Sequence, residues 1–124
     1  MEFGLSRIGQ IALTITELDP AIAFYRDRLG LKFLFQAGNL GFFDCGGIRL
    51  MLSPAEKPGE IHSSILYFQV ADLAAVHREM VERGVVFEAE PHLIARMPGH
   101  DLWMAFFRDP DRNLLGLMSE LPRT

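Results

Sequence analysis

The chain is written twice. The stretch "RIGQIALTITELDPAIAFYRDRLGLKFLF" is followed, after an interval, by "SSILYFQVADLAAVHREMVERGVVFEAE", and the two share one pattern. In the first, Ile11, Leu13 and Ile15 alternate with Gln10, Ala12, Thr14 and Thr16, the two-residue period of a strand with one buried face. Asp19 and Pro20 then read as a helix start, a side-chain acceptor followed by a ring already set to a helical φ. Leu18, Ile22, Tyr25 and Leu29 make one helical stripe, Gly30 stops it, and "LKFLFQA" resumes as strand. In the second, Leu66, Phe68 and Val70 alternate with Ile65, Tyr67 and Gln69. Asp72 caps a helix whose stripe is Leu73, Val76 and Met80, Gly84 ends it, and "VVFE" resumes. Gly30 and Gly84 lie 54 residues apart, as do Phe33 and Phe87, while Glu17 and Asp72 lie 55 apart. A fixed offset means one supersecondary unit used twice.

Each copy then continues into two more strands. "LGFFDC", a "GG" turn and "IRLMLS" complete the first; "LWMAFFRD", a "PDRN" turn and "LLGLMSE" complete the second. Both turns carry the Gly, Asp, Asn and Pro that tight reversals require. The polar stretch "PAEKPGE" separates the copies. The expected fold is α+β: two β-α-β-β-β modules, at about 7–53 and 64–119, joined by a linker at 54–63 within a single domain spanning 1–124. With helices covering one face of the strands, the other face is expected to curve into an open half-barrel.

Bulk properties narrow the function. A chain of 124 residues can bury roughly two-thirds of its extended surface, enough for a core without staples. Its formal charge of −4, with both signs interspersed, argues against a nucleic-acid partner, which calls for a clustered basic face. Cys45 is the one cysteine and can form no internal disulfide, which suits a reducing compartment. The first residues lack the basic and apolar regions of a secretory signal, and no apolar run nears the roughly 18 residues that span a bilayer. A cytoplasmic protein without a membrane partner is expected.

On "AIAFYRDRLGLKF", "FFRDPDRNLLGLM" and the repeated module, the chain resembles the vicinal oxygen chelate superfamily of glyoxalases, bleomycin and fosfomycin resistance proteins and extradiol dioxygenases. The resemblance covers essentially residues 7–119. It implies the paired-module fold, a cleft on the concave face, and commonly a homodimer. It also implies a lyase or dioxygenase wherever four strand positions supply metal ligands. Here those positions fall on Gln10, on Arg49 or Met51, on Ile65 and on Gly116. Glutamine is used at the first position by some zinc glyoxalases, but the carboxylates are absent, and the glycine stands where a chelating glutamate usually does. A catalytic zinc needs about three protein ligands, so no metal ligand and no cofactor are expected here. The turn departs too: Arg112 stands where relatives usually have glycine.

The function expected from these residues is binding of a small organic molecule on the concave face. The candidate substrate-binding residues are Gln10, Arg49, Met51, Tyr67, Arg96, Trp103 and Gly116, with Gly116 expected to create room. Ala12, Thr14, Ile65, Gln69 and Met118 share that face by strand parity. "PHLIARMPGHDLWMAFF" reads as an irregular loop or lid in which Arg96 could meet an anion and Trp103 a flat ring. The alternative function is a metal-dependent glyoxalase-like lyase or dioxygenase with a displaced site, in which that loop brings His92 and His100 together near Gln10. No catalytic residue is assigned. Cys45 has no histidine near it in sequence, Ser53, Ser63 and Ser64 lack a nucleophile elbow, and Glu88 and Glu90 read as exposed charge.

Overall fold

The computed structural model describes residues 3–57, 59–60 and 62–122. Contacts divide the chain into two compact units, Met1–Ser63 and Ser64–Thr124. Each carries a four-stranded mixed sheet and a helical segment, so the fold is α+β.

In the first unit, β1 (Gln10–Ile15) leads into α1 (Leu18–Ala23), which widens into a π-helical turn over Phe24–Arg28. β2 (Lys32–Ala37), β3 (Leu40–Cys45) and β4 (Ile48–Pro54) follow. The sheet order is β1-β4-β3-β2, with β1 and β4 parallel and the remaining pairs antiparallel. Leu13, Ile15, Leu50, Leu52 and Phe43 form the buried face, and Tyr25 is sealed beneath the widened turn. Gly41 belongs to that face because a Cβ there would come within 3.2 Å of Leu18 and Ile22 of the helix. The remaining parity presents Gln10, Ala12, Thr14, Phe42, Arg49 and Met51 on the other side of the sheet.

The helix start differs from expectation. Its cap is Glu17, in extended backbone and with no side-chain capping bond, and Asp19 lies inside the first turn. The first turn has no use for its N–H groups, so Pro20 fits there without loss. Asp19 instead places its charge near the positive end of the helix.

The second unit repeats the order. β5 (Leu66–Gln69), α2 (Leu73–Glu82), β6 (His92–Met97), β7 (His100–Arg108) and β8 (Leu114–Pro122) form a sheet in the order β5-β8-β7-β6. β5 and β8 are parallel. Asp72 caps α2 as expected, its Oδ1 accepting from the Ala75 N–H at 3.0 Å. Gly84, at φ 91°, turns the chain out of the helix, and the Val85 N–H closes the end on the Met80 carbonyl at 3.0 Å. Leu73, Met80, Val85, Ala105, Phe107, Leu115 and Leu117 are the core of this unit.

Two readings of the second copy are corrected. "VVFE" is not a strand: Phe87 makes a single bridge to Phe107, and pairing resumes only at His92. The duplication survives in the ring contact, since Phe33–Phe43 and Phe87–Phe107 both lie 5.3 Å apart. The stretch from Pro91 is not a lid either. Pro98 and Gly99, the latter at φ 84°, form the two-residue turn of the β6–β7 hairpin, and a bulge between Leu93 and Ala95 hides the alternation.

The "DPDRN" turn is held by one buried carboxylate. Asp109 Oδ1 accepts from the N–H groups of Asp111 at 2.9 Å and Asn113 at 2.8 Å, and Oδ2 accepts from Asn113 Nδ2 at 2.8 Å. Arg112 sits at φ 68°, a conformation costing a side-chain-bearing residue roughly 1–2 kcal/mol. That turn fixes which residues of β7 and β8 face one another.

Candidate functional site

On the open face of the first sheet, three of the expected residues meet. Gln10 and Arg49 are register partners, and the Arg49 Nε donates to Gln10 Oε1 at 2.9 Å. Gln10 Nε2 points to Met51 Sδ at 3.7 Å. The Arg49 guanidinium carbon lies 5.3 Å from the centre of the Phe42 ring, which packs on Phe35 at 4.7 Å. With Nε spent on the amide and its plane over a ring, the guanidinium is held while its head stays exposed. The two terminal nitrogens of such a group match a carboxylate or phosphate. Further along β1, the Thr14 N–H donates to Ser63 Oγ at 2.9 Å and the His62 N–H to Thr14 Oγ1 at 2.9 Å, so the end of the linker is laid along this edge.

In the second sheet Tyr67 and Gly116 are register partners, and Phe106 is the partner of Gly116 on its other side. The Tyr67 and Phe106 rings meet edge to face, 6.0 Å apart, directly over the glycine. A Cβ at 116 would lie 3.1 Å from each ring. Gly116 therefore opens no room, contrary to expectation: it is buried, and its missing side chain lets two aromatics close on the strand. Tyr67 remains 46% exposed, so this face offers half a phenol ring to a ligand.

Arg96 and Trp103 do not join this surface. Trp103 pairs with Ser119, which is buried on the core side, and Arg96 pairs with Asp101 on the same side as Trp103. The two residues face away from Tyr67 and Gly116. His92 and His100 are likewise kept apart. His92 is opposite Met104, four residues along β7 from His100, a separation of about 13 Å at the rise of a strand. The His92 ring contacts the Glu90 carbonyl, and His100 lies 3.5 Å from Glu120. Among the described residues, no three His, Cys, Asp or Glu side chains gather where they could hold a metal ion. Cys45 is half-buried, and burial, with a smaller push from Asp44, raises its thiol above the ordinary cysteine value. That is the opposite of an activated nucleophile.

Sequence reasoning missed Phe42 and Phe106. Both follow from the hairpin registers: the "GG" turn sets Phe42 beside Met51, and the Asp109 turn sets Phe106 beside Gly116. Among the described residues, no helix is long and apolar enough to cross a membrane.

This architecture is widely shared. Residues 7–117 match the model of the Glyoxalase/Bleomycin resistance protein/Dioxygenase superfamily, and the chain belongs to that family. It is 28% identical over 130 residues to the uncharacterized protein YraH of Bacillus subtilis strain 168, covering 93% of this chain and 99% of that one. A crystal structure of lactoylglutathione lyase from Agrobacterium tumefaciens is similar at a TM-score of 0.72 and 26% identity, covering 94% of this chain and 95% of the other. TnmS3, an antibiotic binding protein from Streptomyces sp. CB03234, is similar in fold at a TM-score of 0.76 and 22% identity, covering 96% and 99%.

Proposed function

We propose that this chain binds a small organic molecule without a metal ion, through Gln10, Arg49 and Met51 on the face of the first sheet. The observation that carries the reading is the filled space over Gly116. A chelating side chain there would need the volume that Tyr67 and Phe106 occupy. The remaining positions offer one neutral amide already bonded to Arg49, a guanidinium, a thioether and the Ile65 alkyl chain. That donor set does not fit a divalent cation, which asks for several N or O donors on one point. A displaced site at His92 and His100 is disfavoured by their separation along the hairpin.

The same surface suits an organic ligand. Arg49 supplies a fixed cationic fork, Met51 an adaptable apolar contact, and Phe35, half-exposed and packed on Phe42, an aromatic one. A molecule joining an anionic group to a flat apolar body matches these features. Family membership supports a cytoplasmic homodimer, which sedimentation in solution tests. For the ligand, the probe is 1-naphthoate added to chelator-treated protein in a thermal melt. The expected result is a saturable rise in Tm that Arg49→Ala and Phe35→Ala each diminish. A rise that appears only when a divalent ion is restored supports the lyase or dioxygenase reading instead.

A further inference from the structure

The helix side of the second sheet holds a cavity that the binding surface above does not use. It measures about 420 Å³ and lies between the start of α2 and the end of β8, lined by Asp72, Leu73, Ala74, Pro91, Trp103 and Leu121 among others. That volume lies in the range of small-molecule sites, and its walls are mainly apolar, as such sites are. Trp103 and Arg96, which face away from Tyr67, are on this side. We propose that this cavity is a second binding site, for a flat organic cation stacked on Trp103 and paired with the Asp72 carboxylate.

The charge argument decides the ligand class. Among the described residues, Asp72 is the one ionisable residue of the lining. Its Oδ1 accepts from the Ala75 N–H at 3.0 Å, and the residue is exposed at the start of α2. The N-terminus of α2 contributes a partial positive charge of about one half, and the carboxylate a full negative one, so the balance favours a cation. Arg96, the cation sharing this face of the β6–β7 hairpin, is paired with Asp101 at 3.5 Å. An indole is the best of the aromatic rings for attracting a cation to its face. An anion of the same shape would meet the Asp72 charge.

The test uses the chain's one tryptophan as its reporter. N-methylacridinium, neutral acridine and acridine-9-carboxylate share a ring system and differ in charge. At neutral pH the cation is expected to quench Trp103 saturably and to bind about tenfold more tightly than acridine, with the carboxylate weakest. Asp72→Asn keeps a capping acceptor at the start of α2, so the fold is retained while the charge is lost. In that variant the cation and acridine are expected to bind alike by calorimetry. Trp103→Leu should abolish binding of both, and Tyr67→Ala should leave both unchanged. Equal affinity of all three probes for the unaltered protein overturns the proposal. So does a cation preference that survives Asp72→Asn, or binding lost on Tyr67→Ala and kept on Trp103→Leu.

Discussion

Replacing Gly116 by valine measures whether the space above the last strand is occupied. An ideal Cβ there meets Tyr67 Cδ1 and Phe106 Cε1 at 3.1 Å, about half an ångström inside ordinary carbon contact. The single methyl of alanine can be absorbed, because Tyr67 is 46% exposed and its ring can swing outward. Alanine also recovers the roughly 0.5–1 kcal/mol that glycine costs inside a strand, so Gly116→Ala should be close to neutral. Valine adds two more carbons that must displace Phe106 as well. Overpacking of that kind costs about 1–3 kcal/mol, and the gain in strand preference offsets under about 1 kcal/mol. The net is a loss of about 1–2 kcal/mol, or roughly 4–8 °C in Tm for a chain of this size. In a Tyr67→Ala background the same valine enters vacated space, and its cost should fall by about 1 kcal/mol. Urea and thermal melts followed by circular dichroism read all five chains. The reasoning is refuted if Gly116→Val is as stable as the native chain with Tyr67 in place, because the position would then be open.

Further outcomes follow from other parts of the fold. Arg112→Gly should stabilise by about 0.5–1 kcal/mol, the relief at φ 68° less the entropy glycine adds to the unfolded chain, and a melt checks it. Asp109→Ala should cost about 2–3 kcal/mol, since three donors lose a buried acceptor, and the β7–β8 amides should lose hydrogen-exchange protection first. Cys45 titrates higher when folded, so the neutral thiol is the form folding favours. That contribution is complete below the unfolded thiol's pKa and is lost as pH rises through the folded one. Alkylation of the native protein should therefore need a higher pH than alkylation of the same chain in urea. Arg49→Ala should leave Tm almost unchanged, because the side chain is exposed, while diminishing the response to 1-naphthoate.

The parts of the fold legible in sequence were those set by short-range periodicity. The alternation around Leu13 and Leu66, the Asp72 cap and the Gly30 and Gly84 stops all describe local geometry, and the structure places each there. The face shared by Gln10, Arg49 and Met51 was readable because β4 has no bulge to break its parity. Where parity is broken, reading failed. The bulge at Leu93/Ala95 turned a hairpin into an apparent loop, and so Arg96 and Trp103 were placed with residues that face the other way. Gly116 misled for a different reason. An absent side chain looks like space, and only the cross-strand neighbours Tyr67 and Phe106 reveal that the space is taken.

Titration of chelator-stripped protein with zinc, nickel, manganese and ferrous ions, followed by calorimetry, tests the proposal of metal-independent binding most directly. Only weak, non-stoichiometric heats are expected, unchanged by Gln10→Ala. One tightly held ion per chain, lost on replacing Gln10 or a histidine of the β6–β7 hairpin, would contradict the account.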